Sequence, residues 1–150
     1  AEAMFMTETL RSLRFYAEQN AHKDEYGTYI PLRRPLDTSR NLFPKMYPRL
    51  IELVQILGSS SLMATPSERD LTNEIADDVS QYFQLQNLES KERIALFRLA
   101  HDLSVSGFGG RQTLYERYFF GPPNVMHSIY FDLYNKDEMI ERVDNLLNEA

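Results

Sequence analysis

Three glycines, followed at once by an arginine and a glutamine, form the segment whose residue types are best suited to chemistry. Gly107, Gly109 and Gly110 precede Arg111 and Gln112. A glycine inside a helix costs roughly 1 kcal/mol relative to alanine, which indicates that another helix or a flat cofactor approaches the backbone there. An arginine beside such a smooth backbone suits a phosphate or pyrophosphate. Tight helix packing, with Arg111 paired to a carboxylate, is the competing interpretation.

Other constellations in the chain predict no catalytic set of their own. The glycine segment lacks both the spacing of a dinucleotide fingerprint and the lysine of a Walker loop. His22, His101 and His127 are dispersed along the sequence, so we expect no metal site. Asp77 and Asp78 are adjacent, as on a solvated face. We therefore expect no catalytic residue within this chain.

A second motif combines prolines, aromatics and arginines between Arg40 and Arg49. Pro44 and Pro48 lie four residues apart within it and fix the path of the chain. One interpretation is a rigid entry into a helix, with Pro48 in its first turn. The other is the wall of a site, with Arg40 or Arg49 facing an anionic group.

The elements that must position these residues are all predicted to be helices. Apolar residues recur at helical spacing, and no strand pattern competes, so the fold class is all-α with a single helical domain over 1–150. Residues 22–47 are predicted to be irregular, and a capping box at Ser67 and Asp70 is expected to start a helix. The predicted helices span 1–21, 47–57 (ended by Gly58), 70–84, 90 to about 120 (the longest, containing the glycines), 123–134 and 136–149.

Composition bounds the class of protein. The 150 residues include no cysteine and carry a formal net charge of -6. This charge argues against nucleic-acid partners, no apolar run is long enough for a membrane helix, and the missing cysteine suits a reducing compartment. We expect a cytoplasmic protein that binds neither nucleic acid nor membrane. The opening Ala1-Glu2-Ala3 suggests a piece of a larger protein.

Three motifs in this order resemble one known family. They are the Arg40–Arg49 segment, the Leu57–Pro66 segment and the segment from Phe108 to Arg117. Together they look like the C-terminal domain of the 4-hydroxyphenylacetate 3-hydroxylase oxygenase family, within the acyl-CoA-dehydrogenase-like superfamily. The resemblance runs from about residue 1 to residue 135.

The resemblance implies a helical bundle similar to the C-terminal domain of acyl-CoA dehydrogenases. Family members are two-component flavin monooxygenases that hydroxylate a phenol ortho to its hydroxyl group, using reduced FAD or FMN from a separate flavin reductase. Implied partners are the N-terminal and middle domains of the same enzyme and further copies, in a dimer or tetramer. Gly109, Gly110, Arg111 and Gln112 match the motif and would bind the flavin.

The resemblance also limits the expectation for this chain by itself. The catalytic residues would lie in the other two domains, so the isolated chain should be inactive and should retain no cofactor. One alternative is a non-enzymatic helical assembly module that lost the active site, in which Arg111 forms a buried ion pair. Another is a relative of 4-hydroxybutyryl-CoA dehydratase, whose iron–sulfur cluster has no cysteine ligand here.

Overall fold

The computed structural model describes residues 1–148, which form seven α-helices and one short hairpin. Strands β1 (His22–Lys23) and β2 (Tyr29–Ile30) pair antiparallel. The predicted helical class is thus confirmed. The helices are α1 (Glu2–Gln19), α2 (Arg33–Gly58), α3 (Ala76–Phe83), α4 (Ser90–Ser104), α5 (Gly107–Tyr118), α6 (Pro123–Leu133) and α7 (Asp137–Asn148).

Helices α1, α6 and α7 begin and end within two residues of their predicted bounds. Residue 149, predicted to end the last helix, lies outside the described residues. The hairpin was not predicted. It closes because the Asp24 carboxylate accepts the backbone N–H groups of Tyr26 and Thr28, at 2.9 and 2.8 Å, and because Gly27 supplies a φ of +82°.

The prediction of irregular structure up to residue 47 was wrong, because α2 begins at Arg33 and is the longest of the described helices. Both prolines of the second motif lie inside it, so Pro48 is not in its first turn, and a rigid helix entry is also wrong. Local side-chain bonds support the early turns. The Asn41 amide donates to the Asp37 carbonyl at 2.8 Å, and Arg33 pairs with the Asp37 carboxylate at 3.0 Å. The end at Gly58 is as predicted.

The chain divides into two compact units, one of residues 1–43 and 120–148 and one of residues 44–119. A single helical domain over 1–150 stays a prediction. In the first unit Ala17 of α1 is fully buried, and its carbonyl accepts the N–H of Leu32 at 2.9 Å. The hydroxyl groups of Thr38 and Tyr130 lie 2.8 Å apart and join α2 to α6.

The second unit is built around α4. Ile94 of α4 and Val79 of α3 are buried. The Arg93 guanidinium lies over the rings of Phe83 and Phe97, at 5.7 and 5.6 Å from their centroids, and donates to the Phe83 carbonyl at 3.3 Å. A cation over an aromatic face contributes about 0.5–1 kcal/mol even at exposed positions, and these three residues are half-buried, so Arg93 fixes the end of α3 against α4.

The capping box is confirmed, although the helix over 70–84 begins later than predicted. The Ser67 N–H donates to the Asp70 carboxylate at 2.8 Å, but the turn that follows is a 3-10 helix over Glu68–Leu71. Asn73 then accepts the N–H of Ile75 at 3.0 Å. The side chain thus occupies a backbone N–H that would donate to a backbone carbonyl in a continuous helix. Helix α3 therefore starts only at Ala76.

Large apolar side chains are exposed on every one of the seven described helices. Examples are Leu57 on α2 at 84% exposure and Leu147 on α7 at 71%. All residues of α7 are exposed. Large apolar side chains exposed at this many positions are typical of surface that contacts other protein. Within residues 1–148, none of the helices combines the length and the apolar character that crossing a bilayer requires.

The capping box makes the stability of the protein depend on pH. The hydrogen bond from the Ser67 hydroxyl lowers the pKa of the Asp70 carboxyl. A lowered pKa in the folded state contributes stability above the ordinary value of about 4, and this stability is lost as pH falls through the lowered pKa.

We expect Asp70→Asn to lower the urea midpoint at neutral pH and to flatten its decline below pH about 4. Ser67→Ala should act in the same direction, because it removes the hydroxyl that favours the ionised carboxyl. Midpoints measured across that pH range check this, and a wild-type slope retained in both variants would contradict it.

Candidate functional site

The glycine segment starts a new helix instead of lying inside a long one. The prediction of one helix from Ser90 to about Phe120 was wrong, because α4 ends at Ser104 and α5 begins at Gly107. Ser106 causes the break. Its hydroxyl accepts the N–H of Gly109 at 3.1 Å and donates to the Asp102 carbonyl at 2.6 Å, so one side chain caps α5 and also bonds the last turn of α4.

Gly109 is the point of close approach. It is buried, and a Cβ there would lie 2.7 Å from the Leu103 carbonyl oxygen and 2.8 Å from that of Asp102. Real Cβ atoms do not come so close to backbone. The neighbour that requires this glycine is therefore the last turn of α4.

Gly107 and Gly110 have open space where Gly109 has backbone. A Cβ at either position would meet nothing within 4 Å, and both residues are exposed. The backbone of the first turn of α5 thus presents one packed and two accessible glycines. A flat or phosphate-bearing molecule can approach Gly110 closely.

Arg111 and Gln112, the next two residues, differ in their surroundings. Arg111 is exposed, and no ion pair involving it occurs among residues 1–148. The Gln112 amide is half-buried and donates to the Glu116 carboxylate at 2.7 Å. A buried ion pair of Arg111, expected for a pure assembly module, is therefore not found in the described part of the chain.

The charge at this end of α5 favours an anion. Arg111 carries a positive charge and stands in the second turn of α5, near the helix end that carries the positive partial charge of the macrodipole. The first turn contains no acidic residue. These features suit the negative charge of a phosphate.

The arginines of the second motif are paired within α2. Arg40 lies 3.2 Å from the Asp37 carboxylate and 5.6 Å from the Phe120 ring centroid, and Arg49 pairs with Glu52. Their charges are balanced by carboxylates three residues away on the same helix. They are weaker candidates for an anion site than Arg111.

Ser106 is the residue of this site that the sequence analysis missed. Serine is one of the preferred N-cap residues, and Ser106 stands directly before the first residue of α5. The signal was missed because the glycine segment was interpreted as the interior of one long helix.

Comparison with known proteins identifies relatives along the whole described length. A family model described as 4-hydroxyphenylacetate 3-hydroxylase C terminal matches residues 1–148. The chain is 42% identical over 150 residues to the oxygenase component of 4-hydroxyphenylacetate 3-monooxygenase of Thermus thermophilus. It is 46% identical over 151 residues to the same component of a Geobacillus species. Each alignment covers 100% of this chain and 31% of the relative.

Solved structures give the same result. The oxygenase component of 4-hydroxyphenylacetate 3-monooxygenase complexed with FAD and 4-hydroxyphenylacetate matches with a TM-score of 0.91 and 42% identity, over 99% of this chain and 31% of that one. An archaeal 4-hydroxybutyryl-CoA dehydratase from N. maritimus matches with a TM-score of 0.81 at 14% identity, over 97% of this chain and 29% of that one. The dehydratase shares the fold alone.

The two neighbouring glycines should respond oppositely to alanine. Gly109→Ala should destabilise the protein by about 1–3 kcal/mol, because the methyl group must displace α4 backbone. Gly110→Ala is the matched control and should stabilise it by about 0.5–1 kcal/mol, because the space is open and alanine favours the helix. Unfolding in urea measures both changes, and equal effects would contradict the packed role of Gly109.

Proposed function

Because the chain belongs to the 4-hydroxyphenylacetate 3-hydroxylase C-terminal family, we propose that it is the flavin-binding and assembly part of a two-component phenol hydroxylase. The whole protein would receive reduced FAD from a separate reductase and hydroxylate 4-hydroxyphenylacetate or a related phenol ortho to its hydroxyl group. The names of the relatives and the FAD and 4-hydroxyphenylacetate in the matched structure support this proposal. FMN is the alternative flavin.

The observation that carries the proposal is an exposed Arg111, without an ion pair in the described part of the chain, directly after the open backbone of Gly110. Its guanidinium can donate two parallel hydrogen bonds to a phosphate oxygen pair. Gly110 lets the cofactor approach the main chain, and Gly109 holds α5 against α4. Gln112 completes the proposed set and is held in place by Glu116. The bound flavin would supply oxygen activation, and this chain would bind and orient it.

The second part of the proposal is assembly. The chain spans about a third of the length of the relatives it matches, and its helices expose apolar surface of the kind that partners cover. We propose that this surface contacts the N-terminal and middle domains of the same polypeptide and further copies, in a dimer or tetramer. Cytoplasmic location stays a prediction.

The alternatives receive less support. The assembly module without an active site would use Arg111 in a buried ion pair, whereas Arg111 is exposed. The dehydratase-like relative rests on a likeness at 14% identity, which shows the fold alone.

The full-length protein tests the function. With FAD, a flavin reductase and NADH, it should convert 4-hydroxyphenylacetate to the catechol and consume a matching amount of oxygen. Chromatography measures the product. A panel of phenols extends the test to related substrates. If the full-length protein neither binds reduced flavin nor consumes oxygen with any phenol, the proposal fails.

Arg111→Gln in the full-length protein should raise the Kd for FAD roughly ten- to a hundredfold, because a hydrogen bond to a charged group contributes about 1.5–3 kcal/mol. Arg117→Gln changes an exposed arginine of the same helix and serves as the control. Titration calorimetry measures both constants. An unchanged Kd in the Arg111 variant would remove this residue from the flavin site.

The isolated 150-residue chain should self-associate, because water otherwise contacts its exposed apolar helices. Light scattering at micromolar concentrations should give a mass of at least two chains. A strict monomer would count against copies contacting one another through this chain.

A further inference from the structure

The last four carbonyl groups of α4 determine where α5 begins. Such carbonyls have no partner within their own helix. The His101 carbonyl accepts the N–H groups of Val105 and Ser106, at 2.8 and 3.1 Å. The Asp102 carbonyl accepts the Ser106 hydroxyl at 2.6 Å, and the Leu103 carbonyl faces Gly109. Two of the four thus accept hydrogen bonds from the turn between α4 and α5, and the third lies against Gly109.

The fourth carbonyl, that of Ser104, is engaged from another helix. The Gln55 side chain of α2 donates its Nε2 to the Ser104 oxygen at 2.7 Å, across 49 residues of sequence. Ser104 itself is only 6% exposed, and its hydroxyl is turned back to the Ala100 carbonyl at 2.6 Å. Within residues 1–148, no other side chain is described as donating to the Ser104 carbonyl.

We propose that Gln55 is a positioning residue for the flavin-binding segment, an inference that rests on the proposed function of Gly109 to Gln112. Only Val105 separates Ser104 from the cap residue Ser106. A fixed Ser104 carbonyl therefore fixes the backbone from which Ser106 caps α5. Through this path Gln55 sets where Gly110 and Arg111 lie, although it acts on them only through Ser104.

The local surroundings make the proposal testable without damage to the core. Gln55 is exposed, so a substitution there opens no cavity. Gln55→Met keeps the length of the side chain and removes the donor. Gln55→Lys restores an N–H donor, and a positive charge near the carbonyl end of α4 is favourable. Gln81→Met, at an exposed glutamine of α3, is the matched control.

In the full-length protein, Gln55→Met should raise the Kd for FAD three- to tenfold and leave kcat at saturating FAD within twofold of wild type. Gln55→Lys should recover most of the affinity, and Gln81→Met should resemble wild type. A purely structural role would change thermal stability without this rescue or this separation of binding from turnover. Unchanged FAD affinity in Gln55→Met overturns the proposal.

Hydrogen exchange provides a readout that needs no flavin. In flavin-free Gln55→Met, the amides of residues 105–112 should exchange faster than in wild type, and those of α3 should not. Faster exchange throughout the protein would overturn the proposal, since Gln55 would then support general stability. If Arg111→Gln leaves FAD binding unchanged, the proposed flavin site fails. Exchange confined to residues 105–112 would still uphold positioning of the turn by Gln55.

Discussion

The contact between Gly109 and the final turn of α4 is the constraint on which the candidate site depends. Its missing side chain lets α5 start directly against the carbonyls of Asp102 and Leu103. Ser106 closes the same turn with one hydroxyl that both accepts and donates. The close approach determines the direction of α5, and that direction brings Gly110 and Arg111 to an accessible surface. Gly109 therefore serves packing, and the adjacent Gly110 serves the ligand binding that we propose.

Local sequence predicted helices α1, α6 and α7 from their apolar residues at helical spacing. It also predicted the stop at Gly58 and the capping box at Ser67. The start of α2 was missed because prolines indicate a break. The helix persists through them, and its early turns are supported by bonds such as that from Asn41 to the Asp37 carbonyl, which propensity does not reveal.

The candidate site was predicted by residue type, whereas its geometry was not. Glycines indicate a close approach to the backbone without indicating which group approaches. At Gly109 that group is the backbone of the preceding helix. The break at Ser106 was missed because residues 90 to about 120 were interpreted as one continuous helix. The bond from Gln55 to Ser104 joins residues 49 positions apart, so no local pattern contains it.

The exposed apolar helices change what a surface mutation means in this protein. Leu147 and its neighbours on α7 are surface residues by their exposure, yet their composition is that of an interior. If partners cover them as proposed, a polar substitution there would bury an unsatisfied group, with the effect of a core mutation. Tolerance to mutation along α7 would then follow the pattern of a protein interior, strict at Val143 and Leu147 and permissive at Glu141 and Asp144.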